Sequence, residues 1–433
     1  MLLNIFYFLA LIVFSPVLLY RAARGKYRRG ILDRFLGRVP KLEPKDSREG
    51  KGTRVWFQAV SVGEVNLLRP ILRELKKQAA DWEVVISSTS QAGYDLACRL
   101  FPDIPVFRCP LDFTWSVRRA VRAVDPDLLV LVELELWPNL IRAAKKHGAK
   151  TAIVNGRISD QSFPSYRKIR FFLRRLFRSI DRVMSGSRES SRRFVELGLS
   201  EERLSVTGSI KFDGATGDRA NEKTAALAAL AGITADDQVF LAGSTQSGEE
   251  EMALASYRAL AGEYPNLRLI VVPRHPERFD EVAEMLAGSG IPFARRGRLD
   301  DLSVSEEQKR VLLIDTIGEL GAWWGTASIA FVGGSMGSRG GQNMLEPAAY
   351  GAAVCFGPNT RNFREIARGL LDADGARVVH DGEELTEFVR RCLSDPDFAR
   401  SLGERARELV RSQKGAAESS VRELLELAGR AGR

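Results

Sequence analysis

The sequence predicts an α/β fold built from two doubly wound parallel-sheet (Rossmann-like) domains, and three observations support this. Continuous apolar segments of strand length alternate with helical segments along the chain. The alternation occurs twice, and a stretch of small and polar residues at 214–235 separates the two runs. The length, 433 residues, also suits two domains better than one.

Elements of the first half follow one another as strand and helix. Strands are predicted at residues 53–60, 83–89, 128–134 and 151–155, with shorter ones at 182–185 and 204–207. Helices are predicted at residues 67–78, 93–99 and 140–147. Because the longer strands are apolar throughout, they favour a parallel sheet covered by helices on both faces.

The second half repeats this order. Strands are predicted at residues 239–242, 267–272, 311–314, 329–332 and 353–356, with helices at 249–261, 278–287 and 318–324 and another from Asn343 onward. We therefore divide the chain into a membrane anchor at residues 1–24, an N-terminal domain at 25–214, a linker at 215–235, a C-terminal domain at 236–405 and a C-terminal helix at 406–433.

The amino-terminal segment has the composition of a membrane anchor. Residues 2–20 are almost wholly apolar, and five basic residues follow at Arg21, Arg24, Lys26, Arg28 and Arg29. Nineteen helical residues at ~1.5 Å each just cross a hydrocarbon core of ~30 Å. The apolar-before-basic order is the reverse of a signal peptide and places the rest of the chain in the cytoplasm. A helix that lies in the membrane interface is the alternative to a single pass.

Basic residues are also dense at residues 167–182, where they alternate with Phe171, Phe172, Leu173, Leu176 and Phe177. An amphipathic surface helix, an anionic membrane surface and nucleic acid are all compatible with such a pattern. The net charge of +9 agrees with any of them. Because the chain begins with an apolar anchor, we expect an anionic membrane surface and no nucleic acid.

Residues 331–351, FVGGSMGSRGGQNMLEPAAYG, combine a strand end, two glycine pairs and the start of a helix. Glycine allows backbone to approach a ligand closely, and a helix N-terminus favours anions. We predict a phosphate or carboxylate site in this loop. The turn at residues 242–251 (AGSTQSGEEE) has the same order of features and is a second predicted anion site.

Several charged residues follow predicted strands, where ligands gather in open parallel sheets. Glu64 follows the first strand and is a candidate general base, although a helix cap is the simpler interpretation. Glu133 and Glu135 end the third strand, and alternation predicts that both carboxylates share one face. Lys211 lies in the segment that closes the first half, and Arg274 and His275 follow a strand of the second half; all three are candidate groups for binding an anion.

Other functional classes receive little support. Four cysteines and three histidines lack metal-ligand spacing, so no zinc signature exists and we predict no metal. The turn at residues 242–251 lacks the GK[ST] of a P-loop and the spacing of GxGxxG, which argues against hydrolysis of a nucleoside triphosphate and against dinucleotide binding.

The motifs SVGE, ELELWPNLI, NGRIS, GSIKFD, GSTxxGEEE, VPRHPERF and the 331–351 segment occur in an order that resembles the 3-deoxy-D-manno-octulosonic acid (Kdo) transferases of lipopolysaccharide assembly. The resemblance extends from the anchor to about Asn362. It implies a GT-B glycosyltransferase of the inner membrane, whose two domains face a cleft on the cytoplasmic side and bind acceptor and donor respectively. It also implies inverting transfer of Kdo from CMP-Kdo to the lipid A precursor without a cofactor.

By this resemblance, Glu64 matches the general base, and Glu133 and Lys211 match groups that stabilise the transition state. The CMP-binding segments match Arg274 and His275, the turn Ile317, Gly318 and Glu319, and the run Asn343, Met344, Leu345 and Glu346. Two departures occur, because Gln246 and Gln342 stand where the family often has histidine. Glutamine donates hydrogen bonds but carries no charge.

Two other functional classes remain as alternatives. One is a different GT-B enzyme, such as a UDP-sugar transferase or a sugar-nucleotide epimerase. The other is an anchored, non-catalytic protein that binds a sugar nucleotide. The combination of Glu64, Glu133 and Lys211 with an anchor argues against the first alternative, and intact candidate groups at every motif argue against the second.

Overall fold

The computed structural model describes residues 4–5, 7–9, 13, 30–44, 52–299, 301 and 304–429. It divides into two compact units, one formed by Met1–Gly214 with Gln413–Arg433 and the other by Ala215–Ser412. Each unit contains a seven-stranded sheet in which every recorded strand pair is parallel. The prediction of two parallel α/β sheets is therefore confirmed.

The first sheet has the strand order β3-β2-β1-β4-β5-β6-β7. Its strands are β1 Arg54–Ala59, β2 Glu83–Ser88, β3 Val106–Arg108, β4 Leu128–Val132, β5 Lys150–Gly156, β6 Arg182–Ser185 and β7 Leu204–Val206. β1 and β4 are buried along their whole length, as continuous apolar strands of a doubly covered sheet should be.

Alternate side chains of this sheet enter two separate cores. Trp56, Leu129 and Leu131 belong to one core, which we call the first face. Phe57 and Val130 belong to the other, which we call the second face. This is the two-residue period of a strand, and it assigns each covering helix to one side.

Helices cover both faces of the first sheet. The first face carries Thr114–Val124, Pro138–His147, Arg170–Phe177 and Arg188–Glu196. The second face carries Val62–Gln78 and Ala416–Gly429, with Gln91–Leu100 packed at its edge. Two further short α-helices of this unit are Ile31–Leu36 and Phe163–Lys168.

The second sheet has the strand order β10-β11-β9-β8-β12-β13-β14. Its strands are β8 Gln238–Thr245, β9 Leu267–Pro273, β10 Ala294–Arg295, β11 Val311–Leu313, β12 Ile329–Val332, β13 Ala353–Phe356 and β14 Ala376–Val378. The helices of this unit are Glu222–Leu230, Glu249–Leu260, Phe279–Gly288, Leu320–Trp323, Leu345–Ala349, Arg364–Asp372, Gly382–Ser394 and Pro396–Ser412.

Several boundaries differ from the sequence-based expectation. The short edge strands β3, β10 and β14 were not predicted, because two or three residues carry too little pattern. The expected linker at residues 215–235 contains the helix Glu222–Leu230, which is capped by Asn221 and lies in the second unit. The expected helix at 406–433 is two helices: Pro396–Ser412 stays with the second unit, whereas Ala416–Gly429 packs in the first.

Most of the predicted anchor, residues 1–24, lies outside the described residues. Among those that are described, no helix has both the length and the apolar composition needed to cross a membrane. The helical residues near the amino terminus contact the first unit: the Tyr7 hydroxyl donates to Asp112 at 2.9 Å. The Phe8 ring lies 5.1 Å from that of Phe113 and 5.8 Å from that of Trp115.

Candidate active site

The predicted chemical groups lie at the carboxyl edges of the two sheets, where a parallel fold gathers the ends of all its strands. In the first unit these are Glu64 after β1, Glu133 and Glu135 after β4, and Lys211 after β7. In the second unit they follow β8, β9, β11 and β12.

Glu64 lies in the first turn of the helix Val62–Gln78. Ser61 is the N-cap, and its hydroxyl accepts the Glu64 N–H at 3.3 Å and donates to Glu64 Oε1 at 2.9 Å. The Val60 N–H donates to Glu64 Oε2 at 2.7 Å. The residue is only 6% exposed. The cap that the simpler interpretation expected is therefore present, and it fixes the carboxylate at the edge of the sheet.

Burial raises the pKa of Glu64 to about 7, and the nearby carboxylates of Glu135 and Glu133 add to the rise. The hydrogen bonds from Val60 and Ser61 act in the opposite direction, because they favour the ionised form. A carboxylate with a pKa near neutrality can both accept and release a proton at physiological pH, which is the property a general base requires.

Glu133 lies in a turn and Glu135 in the irregular segment after it, so the prediction that strand alternation aligns them was wrong. β4 ends at Val132, and Glu133 has a φ of 59°. Its N–H still bonds the Val154 carbonyl at 2.9 Å, which holds the turn against β5. Burial and the charge of Glu133 raise the pKa of Glu135. The two carboxylates therefore remain close to Glu64, although the turn and not the strand brings them there.

Lys211 pairs with one of these carboxylates. Its Nζ lies 3.6 Å from Glu133 Oε1, and both side chains are about one-third exposed. The segment that carries Lys211 is fixed by Asn155, a buried residue whose Oδ1 accepts the Ile210 N–H at 3.0 Å. The structure thus brings Glu64, Glu133 and Lys211 to one edge of the first sheet, as predicted.

The glycine loop of the second unit binds a carboxylate of the chain itself. Glu249, 2% exposed, accepts the N–H groups of Gly334, Ser335 and Met336 at 2.7–3.0 Å and that of Gln246 at 2.8 Å. A β-carbon on Gly333 would lie 2.6 Å from Glu249 Oε2, so glycine is required there. The prediction that these amides are available to a ligand was wrong, because an internal anion already uses them.

An N–H group of the turn after β8 is also bonded internally, because the Gln246 N–H donates to Glu249. Glu250 is fully buried and bonds Thr245 Oγ1 at 2.8 Å and Arg278 Nη1 at 2.5 Å. Burial raises the pKa of Glu250, while the bonds from Arg278 and Thr245 oppose the rise. The amide nitrogen of the Gln246 side chain is buried and has no hydrogen-bond partner among the described residues.

Arg274 and His275 follow β9. The Arg274 N–H donates to the Thr245 carbonyl at 3.1 Å, which joins this turn to the end of β8. The Arg274 side chain is exposed, and no partner for its guanidinium occurs in the part of the chain that the structure describes. His275 Nδ1 lies 3.7 Å from Glu277 Oε1. Both side chains are thus accessible at the carboxyl edge.

Ile317, Gly318 and Glu319 form the turn before the helix Leu320–Trp323. Ile317 is 76% exposed, and Gly318 has a φ of 90°. Burial acts to raise the pKa of Glu319, but bonds from Thr316 and Arg296 hold it below its usual range. The two Arg296 bonds are both 3.0 Å long. The Glu319 carboxylate therefore organises this turn.

In the run from Asn343 to Glu346, two side chains are polar and two are core residues. Met344 and Leu345 are buried, so only their backbone can meet a ligand. Asn343 Nδ2 donates to Glu346 Oε1 at 3.0 Å, and burial raises the pKa of Glu346 against this bond. A β-carbon on Gly321 would lie 3.9 Å from Glu346 Oε2, so this run adjoins the helix after Glu319.

Sequence reasoning missed Asn155 and Glu249 as structural centres of these sites. Asn155 has a φ of 54°, a conformation that asparagine tolerates better than most residues. Its position directly before a glycine at the end of β5 is the only local signal. For Glu249, the signal was three consecutive glutamates at a helix start, since acidic side chains favour that position.

The chain is similar to known proteins of one family over most of its length. A 3-deoxy-D-manno-octulosonic-acid transferase (kdotransferase) family model matches residues 31–214. A 3-deoxy-D-manno-octulosonic acid transferase from Haemophilus influenzae is 35% identical over 364 residues, 84% of this chain and 84% of that protein. The chain belongs to the Kdo transferase family. One from Chlamydophila psittaci is 32% identical over 90% of this chain and 88% of its own length.

The Kdo transferase resemblance seen in the motifs is thereby confirmed. Among solved structures, the UDP-GlcNAc 2-epimerase from Neisseria meningitidis matches with a TM-score of 0.59. That match has 14% sequence identity and covers 86% of this chain and 100% of the epimerase. At this identity it supports the GT-B-like fold alone, and the site must be argued from its own residues.

Proposed function

We propose that this chain transfers Kdo from CMP-Kdo to the lipid A precursor (lipid IVA), with inversion, without a metal cofactor, and with Glu64 as the general base. Membership of the Kdo transferase family supports the donor and the acceptor. One observation carries the assignment of the base: the Glu64 carboxylate is 6% exposed, lies at the carboxyl edge of the first sheet, and has a pKa that burial raises to about 7. An unactivated hydroxyl is a poor nucleophile, and such a base is what it needs.

In this mechanism the acceptor hydroxyl oxygen bonds to the anomeric carbon of Kdo as its proton passes to a Glu64 carboxylate oxygen. The bond from that carbon to the CMP phosphate breaks, and its electron pair leaves with CMP. A single displacement of this kind inverts the anomeric centre. Glu133 and Lys211, 3.6 Å apart, supply paired charges beside the base. Preorganised charges favour a transition state in which charge is redistributed.

The second unit supplies the proposed donor contacts. Arg274 has no competing partner among the described residues, so its guanidinium is free to pair with the CMP phosphate or the Kdo carboxylate. His275 lies beside it. Asn343 leaves Glu346 Oε2 as an acceptor that suits ribose hydroxyls. The Ile317–Gly318–Glu319 turn would contact the nucleotide through its backbone, since Arg296 already holds Glu319.

The proposed base lies in the first unit, and the proposed donor contacts lie in the second. We also propose that residues 1–24 anchor the protein in the inner membrane with both units on the cytoplasmic side. The acceptor is a lipid, and an enzyme fixed at the bilayer meets it at high local concentration. The apolar and basic order of residues 2–29 supports this orientation.

The test is incubation of the full chain with CMP-Kdo and lipid IVA, followed by mass measurement of the lipid. We expect the lipid to gain the mass of one or more Kdo residues, with release of CMP. A parallel incubation with UDP-GlcNAc should leave the lipid unchanged. If UDP-GlcNAc is consumed and CMP-Kdo is not, the chain is a different sugar-nucleotide enzyme. If neither donor reacts but CMP-Kdo binds, it is a non-catalytic binder.

A further inference from the structure

A small cavity lies at the carboxyl edge of the second sheet, beside the glycine loop that follows β12. Its volume is about 300 Å³, and its wall comes from residues 338–340 after β12 and residues 358–364 after β13. β12 and β13 are adjacent parallel strands, so their carboxyl ends open at the same place. A volume of this size is at the lower end for small-ligand sites and suits a single sugar unit.

Hydrogen bonds between the two segments hold the cavity in one shape. The Asn359 N–H donates to the Ser335 carbonyl at 2.9 Å. The Asn362 N–H donates to the Gly340 carbonyl at 2.9 Å, and Asn362 Nδ2 donates to the Arg339 carbonyl at 2.8 Å. Because the walls are bonded to each other without a ligand, the cavity is preorganised, which lowers the cost of binding.

Two arginines supply the charge of the cavity. Arg361 and Arg364 line it, and neither guanidinium has a recorded partner among the residues that the structure describes. Of the described residues that form the wall, none is acidic. The helix Arg364–Asp372 begins here without a side-chain cap, and its dipole adds to the positive potential. Guanidinium groups without a carboxylate partner favour an oxyanion as the ligand.

Two glycines set the position of this cavity. Gly340 has a φ of 92°, and a β-carbon there would lie 2.4 Å from Arg361 Cγ, so a side chain would displace the arginine. A β-carbon on Gly341 would lie 3.3 Å from Thr360 Cα and 3.8 Å from Met344 Cε. Met344 belongs to the run that we assign to CMP, so the cavity adjoins the proposed nucleotide site.

The other side chains of the wall suit a polyhydroxylated ligand. The hydroxyls of Ser338 and Thr360 have no recorded partner in the described part of the chain. No aromatic ring occurs among the described lining residues, so a nucleobase would find no ring on which to stack. Guanidinium groups for a carboxylate, together with hydroxyls for hydroxyls, match the chemistry of a sugar acid.

We propose that this cavity binds the carboxylate of the sugar acid carried by the donor nucleotide, through Arg361 and Arg364. The inference rests on the proposed function, because it assumes a donor of this class. The carboxylate and the CMP phosphate are both bonded to the anomeric carbon of Kdo, so the donor presents two anions. Arg361 and Arg364 take the carboxylate, and Arg274 is left for the phosphate. A neutral hexose leaves the two arginines unpaired and is rejected.

The experiment is calorimetric titration of the full chain with CMP-Kdo and, separately, with CMP. Arg361→Ala with Arg364→Ala should weaken CMP-Kdo binding by roughly 10- to 100-fold, since bonds to a charged group are lost, and should leave CMP binding nearly unchanged. Arg361→Lys with Arg364→Lys keeps the charge without the planar fork and should restore only part of the affinity. Arg368→Ala with Arg411→Ala removes two exposed arginines of the same unit and is the control.

A donor analogue with a carboxamide in place of the carboxylate identifies the group that the arginines bind. The wild type should bind this analogue about as weakly as the double alanine variant binds CMP-Kdo. The alanine substitutions should not weaken binding of the analogue further, because the interaction is already absent. The KM for lipid IVA should stay unchanged in the variant, since a phosphate of the acceptor is not the ligand.

Three results would overturn the inference. Equal weakening of CMP and CMP-Kdo binding would show that the arginines serve the nucleotide or the fold. A higher KM for lipid IVA with unchanged CMP-Kdo binding would assign the cavity to an acceptor phosphate. Additive losses from the carboxamide and the alanine substitutions would place the carboxylate elsewhere. The titrations need no turnover, whereas failure of the proposed function would appear as unmodified lipid with the wild type.

Discussion

Glu64 accepts hydrogen bonds from Val60 and Ser61 within the first turn of its helix, yet burial raises its pKa to about 7. Since the folded pKa exceeds the ordinary value of 4.5, the bound proton stabilises the folded state at low pH. That stability is fully present below about 4.5 and is lost as the pH rises through about 7. The ionised form of Glu64, which acts as the base, is therefore the form in which the folded protein is less stable.

Replacement of Glu64 by glutamine should abolish base catalysis without unfolding the protein. We expect kcat to fall by roughly 10²–10⁴-fold, and the acid limb of the kcat/KM profile near pH 7 to disappear. At each pH the stability of the variant is compared with that of the wild type. The difference in favour of the variant should be larger at pH 8 than at pH 5. Lipid mass measurement and thermal unfolding across this range check both. Glu74→Gln is the control, because Glu74 lies farther along the same helix and pairs with Lys77 at 2.8 Å. Equal loss in both variants would contradict a catalytic role.

Glu249 is the second residue whose role depends on burial. Its carboxylate is bonded by three N–H groups of the glycine loop and one of its own turn. A buried carboxylate with four such bonds is strongly favoured, whereas each amide left without a partner is costly. We regard it as a positioning residue that fixes the loop before Asn343.

Replacement of Glu249 by alanine should therefore loosen this loop. We expect a loss of roughly 3 kcal/mol or more in the free energy of unfolding of the second unit, because several buried amides lose their acceptor. Weaker CMP binding should accompany it. Calorimetric titration with CMP and urea unfolding measure the two effects. Glu251→Ala changes an exposed neighbour on the same helix, and a similar loss there would refute the assignment.

Among the secondary-structure elements, the C-terminal helix Ala416–Gly429 is notable because its cap comes from a distant part of the sequence. Asp213 accepts the N–H groups of Gly415 at 2.7 Å and Ala417 at 2.9 Å. Asp213 also lies two residues beyond Lys211, so the cap and the candidate catalytic lysine share one short segment. The helix packs in the same core as Val62–Gln78, which carries Glu64.

Replacement of Asp213 by alanine should weaken the docking of this helix. Loss of two charge-assisted bonds at a helix N-terminus should cost about 1–2 kcal/mol. We expect faster hydrogen exchange at residues 415–420 and a smaller change in the rest of the first unit. Asp103→Ala removes an exposed carboxylate from the same unit and serves as the control. Unchanged exchange in the Asp213 variant would show that apolar packing alone holds the helix.

At the scale of the whole molecule, the chain passes from the first unit to the second and then returns. The second unit, Ala215–Ser412, is continuous, whereas the first is completed only by Gln413–Arg433. Ala416, Ala417, Val421, Leu424 and Leu427 enter the core of the second face. The first unit therefore reaches its final stability only when the last residues of the chain are in place.

A chain ended at Ser412 should lose stability in the first unit alone. Exposure of the apolar surface covered by these five side chains should cost roughly 5 kcal/mol. We expect two unfolding transitions, and only the one assigned to residues 52–214 should move to lower urea concentration. Protease cleavage in that unit should also increase. Ending the chain at Gly429 is the control. A shift of both transitions together would contradict the division into units.

Much of this architecture could be predicted from local pattern. The strands β1, β4, β8 and β12 were identified because each carries an apolar run bounded by glycine or polar residues. In the structure β1, β4 and β12 are buried along their whole length. Glu64, Glu133 and Lys211 were found because they follow strands whose carboxyl ends must meet at one edge. The edge strands β3 and β14 were missed because three residues have no period to detect.

The sequence by itself determined the two parallel sheets, their order along the chain, the residues at their carboxyl edges and the family, because these depend on local periodicity and on motif order. Only the tertiary structure decided that Glu249 binds the glycine loop, that β4 ends before Glu133, which has a positive φ, and that the last helix completes the first unit. Each of these is a contact between distant residues or a backbone conformation fixed by one, and a local pattern carries no information about such partners.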